Sequence, residues 1–487
     1  MGKNYLTARE KASYGLGAVA KDMVYMLSAS YVLYYFQDIM GVSAVAMGVI
    51  LLVARVFDAF NDPIMGIIVA KTKTRWGKFR PWLFIGTLTN AVVLFIMFSC
   101  PPDLSAGGLI AYAAVFYILW GVTYTMMDIP YWSMIPAFTR GGKERENLTT
   151  LARSCAGVGS ALITVITMIT VEKLGTVFSA QSASASEIER VGFRWFSLAV
   201  AIIFVAFELI CCINVKEKST VNMKSATVGE MFRALIKNDQ AMTVVLAIVF
   251  VNCSIYITSN LVIYFFKYDF GGTAWYNDYT IFSTFGGAMQ ILAMMILYPL
   301  LRRFFSSIRI YYISLGMAIA GYISLLILAS TTMNNVWLLF IPGALIFAAN
   351  GMLSVLTTIF LANTVDYGEV KLNRRDESVI FSMQTFVVKL ASGISAFIAS
   401  ITLALLNLSR DSSNTGSAVD FSAKVSDASK MSLRMVMTLI PIAGLIVAII
   451  WFKTRYKLTD DVVEENAKIV AKRREEEASA EQQAGQA

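Results

Sequence analysis

The stretch VSAVAMGVILLVARVFDAFNDPIMGIIVA, residues 42–70, decides the fold class of this protein. It is apolar over most of its length, and it exceeds the roughly 20 residues that an α-helix needs to cross a lipid bilayer. The basic sequence KTKTRWGKFRPW follows at residues 71–82. A long apolar run that ends at clustered lysine and arginine is typical of a transmembrane helix with a cytoplasmic end. The stretch therefore predicts an integral membrane protein.

The composition of the whole chain indicates the same class. Its 487 residues are 57% hydrophobic and only 15% charged, whereas soluble domains are about 25% charged. The net charge of +8 comes from basic residues in breaks between apolar runs, so we expect a membrane topology signal and no nucleic-acid partner. The sequence contains no histidine, and its five cysteines form no CxxC pair. These absences argue against an enzyme and against a structural metal or disulfide framework.

Twelve apolar runs predict an all-α integral membrane protein with twelve transmembrane helices. The longest polar break between them, residues 215–239, divides the chain into a six-span half at 1–214 and a second at 240–455, followed by a tail at 456–487. Lysine and arginine concentrate in the breaks after even-numbered spans, which predicts that both termini, the central loop and the tail are cytoplasmic. This organisation matches the major facilitator architecture, in which two halves enclose a site near the midplane. The predicted spans are 12–38, 42–70, 80–99, 108–138, 147–171, 193–214, 240–267, 276–301, 308–330, 335–365, 377–408 and 431–453.

Ionisable residues lie well inside these spans, and most of them fall in the first five. Each costs about 2.5–3.5 kcal/mol at the centre of a lipid-facing helix. We therefore expect them to face an internal cavity, where they pair with each other or bind a ligand. They are Lys21, Asp22, Arg55, Asp58, Asp62, Asp128, Arg153, Glu208 and Lys389.

Span 2 carries a cluster of oxygen ligands. Asp58, Asn61 and Asp62 are spaced i, i+3 and i+4, which places them on one helix face within a turn. Two carboxylates and an amide carbonyl suit a small hard cation such as Na⁺. The alternative is a purely structural pair of salt bridges with Arg55 and Lys389.

Span 4 predicts a sugar site. Tyr124, Asp128 and Trp132 are spaced i, i+4 and i+8, and Thr125 projects to a similar side. A carboxylate accepts hydrogen bonds from sugar hydroxyls, and an aromatic ring packs on the apolar face of the sugar. The alternative for Trp132 is an anchor at the membrane interface.

Three other spans carry charges that this chemistry could use. Lys21 and Asp22 are adjacent in span 1 and point about 100° apart, so pairing between them is not required. Arg153 offers a rigid fork of donors to carboxylates or hydroxyls. Lys389 is either a structural counter-ion of the span 2 acids or part of the site, and Glu208 receives no role.

Several blocks of sequence resemble one transporter family. They are DAFNDPIMG (58–66), RWGKFRPW (75–82), YTMMDIPYWSMIP (124–136), KERENLTTLAR (143–153), NTVDYGEVKLNRRDESV (363–379) and SMQTFVVK (382–389). These blocks are similar to the melibiose permease group of the glycoside–pentoside–hexuronide:cation symporters, a branch of the major facilitator superfamily. The resemblance extends from about residue 11 to residue 455.

The resemblance implies uptake of a galactoside coupled to Na⁺, Li⁺ or H⁺ by a monomer in the cytoplasmic (inner) membrane, with no organic cofactor. The pair Asp22 and Asp128 resembles the galactoside-type members. The resemblance assigns cation binding to Asp58, Asn61, Asp62 and Thr125. It assigns sugar contacts to Lys21, Asp22, Tyr124, Asp128, Trp132, Arg153, Gln384, Thr385 and Lys389.

Two positions depart from the melibiose permease pattern. Ser354 stands in place of a tryptophan that contacts the second sugar ring, and Asn363 replaces an aspartate near the cytoplasmic gate. These departures leave the identity of the sugar open. The alternatives are a cation-coupled carrier of another glycoside, a pentoside, a hexuronide or a lysolipid. A membrane-embedded enzyme is disfavoured because the sequence has no nucleophile or metal motif.

Overall fold

The computed structural model describes residues 6–139, 142–180, 183–217, 233, 236–272, 275–331, 335–373, 376–406, 422 and 425–484. In this part of the chain, twelve long helices coincide one to one with the twelve predicted spans, and a further helix follows them. The helices are α1 (Ala8–Tyr34), α2 (Ala44–Lys71), α3 (Arg80–Met97), α4 (Ala106–Phe138), α5 (Gly142–Phe178), α6 (Ala185–Asn214), α7 (Asp239–Phe265), α8 (Trp275–Leu292), α9 (Ser307–Thr331), α10 (Val336–Leu372), α11 (Glu377–Leu405), α12 (Asp427–Arg455) and α13 (Asp460–Ala484). Ten of them, α3 to α12, are long and apolar enough to cross a membrane by length and composition.

Three helices contain or continue into a π-helical turn. These turns are Tyr35–Ile39 after α1, Phe266–Phe270 after α7 and Ala293–Leu297 after α8. Helix α8 then ends with the α-helical turn Tyr298–Arg302. Pro63 inside α2 and Pro130 and Pro136 inside α4 do not interrupt either helix.

Small polar side chains determine where several helices begin. Thr7 forms a capping box with Glu10 at the start of α1. Ser43 and Ser105 each accept a hydrogen bond from a backbone amide in the first turn of α2 and α4. These caps satisfy amides that have no partner inside the helix. The helices therefore begin in polar breaks and run through the apolar sequence that follows.

The chain forms two compact units. The first contains Met1–Asn238, Ala362–Phe386 and Asp461–Ala487. In it α1 packs on α5 and α6, while α3 and α2 pack on α4. The approach of α5 to α1 requires glycine at position 159, because a Cβ there would clash with the carbonyl oxygen of Val19. Small residues allow such close helix packing within membranes.

The second unit contains Asp239–Leu361 and Val387–Asp460. In it α12 packs on α7 and α9. Two of the boundaries between the units fall inside α10 and α11, so the division at 1–214 and 240–455 stays a prediction. Most of the predicted central loop 215–239 and the last residues of the tail, 485–487, lie outside the described residues.

Candidate functional site

A buried lysine joins two of the predicted sugar-binding carboxylates. The Lys21 ammonium on α1 donates a hydrogen bond of 2.8 Å to Oδ1 of Asp128 on α4, and it lies 3.1 Å from Oδ2 of Asp22. It also donates to the Tyr124 hydroxyl at 3.2 Å. Only 3% of Lys21 is exposed. The sequence did not require Lys21 and Asp22 to pair. In the structure, the lysine ammonium contacts the carboxylates of both Asp22 and Asp128.

Trp132 makes a polar contact as well as an aromatic one. Its indole N–H donates to Oδ1 of Asp128 at 3.1 Å, so this single oxygen accepts from both Trp132 and Lys21. The Arg153 guanidinium lies 3.8 Å from the centre of the indole ring. Trp132 is buried, so this residue is not an anchor at the membrane interface. Stacking of a sugar on the ring face that Arg153 covers would require Arg153 to move.

Aromatic residues that the sequence did not single out extend this cluster. Trp120 stacks on Tyr124 with a centroid distance of 5.2 Å, and Tyr117 stacks on Trp120. Tyr25 of α1 contacts both Tyr124 and Trp120. The spacing gave a signal for two of them, since Trp120 lies four residues before Tyr124 and Tyr25 four residues after Lys21.

The predicted cation ligands lie where α2 packs on α4. The Thr125 hydroxyl donates to Oδ1 of Asp62 at 2.9 Å, and both residues are buried. Asp58 is also buried, and its Oδ1 lies 2.9 Å from the place where a Cβ at position 121 would stand. Glycine at 121 therefore lets the carboxylate approach the α4 backbone. The Asn61 amide nitrogen is buried and has no hydrogen-bond partner among the described residues.

The donor set of this cluster fits a monovalent hard cation. The Asp62 carboxylate and the Thr125 hydroxyl are in contact, and Asp58 lies one turn before Asp62 on the same helix; hard cations prefer such oxygen ligands. Arg55 lines the same small cavity of about 20 Å³ as Asp58. This neighbour keeps the structural alternative open for Asp58, so cation binding here stays a prediction.

Helix α4 carries residues of both predicted sites within one turn. Thr125 faces Asp62 on α2, while Tyr124 and Asp128 face Lys21 on α1. A displacement of this turn at one predicted site would change the contacts available at the other. The arrangement therefore offers a short physical route for coupling between cation and sugar.

The predicted residues on α11 are divided between the two units. Gln384 and Thr385 belong to the first unit and Lys389 to the second. Gln384 is buried, and the Thr385 hydroxyl donates to the Phe381 carbonyl of its own helix at 3.3 Å. The start of α11 packs on α2, since a Cβ at position 66 would lie 2.8 Å from the Ser378 carbonyl. Sugar contacts by Gln384, Thr385 and Lys389 stay predictions.

Arg145 forms a buried polar cluster that the sequence did not predict. Its guanidinium lies 2.7 Å from a carboxylate oxygen of Asp366, and it donates to Oδ1 of Asn363 at 3.3 Å. Only 1% of Arg145 is exposed. The two sequence blocks that meet here, 143–153 and 363–379, both carry the family resemblance, but nothing in either one identifies the other as its partner. The departure at Asn363 thus replaces a charged group by a neutral acceptor beside this arginine.

The family described as MFS/sugar transport protein matches residues 13–460. The raffinose carrier protein of Pediococcus pentosaceus is 27% identical over 488 residues, which cover 96% of this chain and 72% of that protein. A putative glycoside/cation symporter of Escherichia coli (strain K12) is 29% identical over 472 residues, 96% of each chain.

A solved structure shows the same fold. The fucose:proton symporter of Escherichia coli aligns with a TM-score of 0.64 over 94% of this chain and 100% of that chain, at 14% sequence identity. This likeness confirms the expected major facilitator fold with twelve transmembrane helices.

Proposed function

Because the chain belongs to the MFS/sugar transport protein family, we propose that it is a secondary active symporter that couples galactoside uptake to Na⁺ by alternating access. Family membership makes it a multi-pass membrane sugar transporter and not an enzyme. Beyond sugar transport, we propose that the substrate is a galactoside, with a melibiose-like oligosaccharide expected, and that the coupling cation is Na⁺. We also propose that the protein functions as a monomer in the inner membrane with both termini in the cytoplasm.

The observation that carries the proposal is the convergence of donors on one oxygen of Asp128. Lys21 and the Trp132 indole hold this carboxylate in place, and Asp22 stands on the other side of the lysine. Sugar hydroxyls can take over the hydrogen bonds that Lys21 makes, because a hydroxyl both donates and accepts. Two carboxylates and the lysine that contacts both of them thus form a site preorganised for a neutral ligand with many hydroxyl groups.

The charge of the site favours a neutral glycoside over a hexuronide. In the cluster around Trp132, Lys21 and Arg153 are matched by the carboxylates of Asp22 and Asp128. A hexuronide would bring an additional negative charge into this balanced and buried set. Buried charge without compensation is costly, so we expect neutral galactosides to bind more tightly.

Coupling follows from the shared turn of α4. A cation held by Asp58, Asp62 and the Thr125 hydroxyl restrains this turn, and the restraint fixes Tyr124 and Asp128 for the sugar. By linkage, the sugar must raise cation affinity by the same factor as the cation raises sugar affinity. Li⁺ and H⁺ are alternative coupling ions, because a small cation or a proton satisfies the same carboxylates.

Calorimetric titration of the purified protein tests the proposal. Melibiose, raffinose and lactose, with a pentoside and a hexuronide for comparison, are titrated with and without Na⁺, Li⁺ or a pH change. We expect a galactoside to bind, and Na⁺ to tighten its binding. Tighter binding of the pentoside or the hexuronide would show that the protein transports that class of sugar instead. Sugar binding that no cation affects would contradict symport. Sugar counterflow in proteoliposomes then shows that the bound sugar is carried across unchanged.

A further inference from the structure

Glu208, in the C-terminal part of α6, is a buried carboxyl group that the proposed function does not use. Only 1% of the residue is exposed, and neither carboxyl oxygen has a hydrogen-bond partner among the described residues. A carboxylate in such a place loses its hydration without replacement, and that loss is far more costly than burial of the neutral acid. The surroundings of Glu208 therefore favour the protonated form.

The neighbouring hydroxyl groups are already engaged. The Tyr14 hydroxyl donates to the Tyr131 carbonyl at 2.6 Å, and the Tyr131 hydroxyl donates to the Tyr14 carbonyl at 2.6 Å. The two rings stack with their centroids 4.3 Å apart. A Cβ at Gly17 would lie 3.2 Å from both Glu208 Oε2 and the Tyr131 ring, so α1 and α4 enclose the carboxyl group closely. Neither tyrosine has a hydroxyl proton left to stabilise a carboxylate.

The nearby positive charges are also engaged. Lys21 contacts the carboxylates of Asp22 and Asp128, and Arg153 stacks on Trp132 beside the same pair. Two cations therefore face two carboxylates, and an ionised Glu208 would leave the set with an excess negative charge.

Other titratable side chains lie in the wider surroundings of Glu208, on four neighbouring helices and on α6 itself. They are Tyr14 and Lys21 of α1, Asp128 and Tyr131 of α4, Arg153 and Cys155 of α5, and Cys211 and Cys212 of α6, with Arg80 of α3 acting on the two cysteines.

We propose that Glu208 is a proton-binding site, separate from the cation site on α2 and α4, whose bound proton preserves the sugar site. This inference rests on the proposed function, because it takes Lys21 and Asp128 as sugar ligands. Ionisation breaks the O–H bond of the carboxyl group, releases the proton to solvent and leaves a carboxylate inside the unit. A negative charge there attracts the Lys21 ammonium and so weakens the contact of Lys21 with Asp128. Protonation of Glu208 and sugar binding therefore favour each other.

The pH dependence of sugar affinity is the first test. Galactoside is titrated calorimetrically from neutral to alkaline pH into the wild type, Glu208→Gln, and the control Glu189→Gln. Glu189 lies on the same helix, where it accepts a hydrogen bond from Tyr34. We expect wild-type affinity to fall once Glu208 ionises, by at most about tenfold per pH unit, which is the limit for linkage to one proton. Glu208→Gln keeps its neutral-pH affinity further into the alkaline range, and Glu189→Gln follows the wild type.

The other outcomes of this titration are equally informative. An identical alkaline loss in wild type and Glu208→Gln would overturn the inference, because lysine and tyrosine titrate in both proteins. A wild-type affinity that does not change with pH would overturn it too. Failure of every galactoside to bind the wild type would instead contradict the proposed function, and the protonation of Glu208 would then be decided by the second measurement.

Infrared spectroscopy provides that second measurement without any sugar. Wild type containing ¹³C-glutamate is expected to show, at neutral pH, an isotope-shifted C=O band of a protonated glutamic acid. The band should disappear in Glu208→Gln and move in Glu208→Asp, which serves if the glutamine variant does not fold. Absence of a glutamate-derived acid band in the wild type would refute the protonated state.

Discussion

The Thr125 hydroxyl on α4 donates to the Asp62 carboxylate on α2 across a distance of 2.9 Å. This bond joins the predicted cation site to the helix that also carries Tyr124 and Asp128. It would give a residue-level reason for the proposed coupling, because a cation at Asp62 and a sugar at Asp128 would both act on one turn of α4.

Replacing Thr125 with alanine should weaken the enhancement of sugar binding by Na⁺ and leave sugar binding without Na⁺ nearly unchanged. The variant lacks the hydroxyl that links α4 to Asp62, while Lys21 and Asp128 keep their contacts. Calorimetric titration of sugar with and without Na⁺ measures this ratio. Thr164→Ala, which removes an exposed threonine hydroxyl on α5, is the control. Full Na⁺ enhancement in Thr125→Ala would place the cation elsewhere.

Asp62→Cys should abolish the mutual enhancement of sugar and Na⁺ binding while some sugar binding persists. Removing this buried carboxylate removes a charge that would hold the cation, whereas none of the predicted sugar contacts lies on α2. Titrations in both orders provide an internal check, because linkage requires the two coupling factors to be equal. A mutant in which Na⁺ still tightens sugar binding contradicts the role of Asp62.

Asp128→Ala should abolish measurable sugar binding while the protein still inserts into the membrane. The change removes the shared acceptor of Lys21 and Trp132, and loss of a buried charged acceptor costs about 2–5 kcal/mol. That cost corresponds to at least about thirtyfold in Kd. Asp103→Ala, in the exposed break between α3 and α4, should bind like the wild type. Affinity within about threefold of wild type in Asp128→Ala would remove Asp128 from the site.

Trp132→Phe should weaken sugar binding less than Trp132→Ala does. Both variants lose the N–H bond to Asp128, but phenylalanine keeps a ring for Arg153 and for the apolar face of a sugar. Sugar affinities of the two purified variants decide this. Equal losses would show that the main task of Trp132 is to hold the Asp128 carboxylate through its N–H group.

Gly121→Ala should impair cation-stimulated sugar uptake without removing the protein from the membrane. The added methyl group would stand 2.9 Å from Oδ1 of Asp58, so the carboxylate or the packing of α2 on α4 has to shift. Gly107→Ala is the matched control, because it lies on the same helix and its added methyl group meets no atom within 4 Å. Uptake and its Na⁺ dependence are measured in vesicles. Wild-type Na⁺ dependence in Gly121→Ala would argue against Asp58 as a cation ligand.

The sequence alone determined the helices. The apolar runs predicted all twelve long helices, because a chain in lipid must satisfy its backbone hydrogen bonds within each spanning segment. Helical spacing also predicted that Asp58 and Asp62 share a face, and that Asp128 and Trp132 stand one turn apart, where they now form a hydrogen bond. These are properties of a single helix, and they need no knowledge of its neighbours.

Tertiary structure alone decided which helices meet and which partners the charges take. The contact of Lys21 with Asp128, that of Thr125 with Asp62 and that of Arg145 with Asp366 each join distant parts of the chain. Periodicity gives the face on which a side chain lies, but not the helix that this face packs against. The burial of Glu208 beside tyrosines whose hydroxyls are already engaged depends in the same way on the close packing of α1, α4 and α6. Helix packing in a bilayer is determined by close steric fit and polar pairing between segments, and neither is encoded in the spacing of residues along one helix.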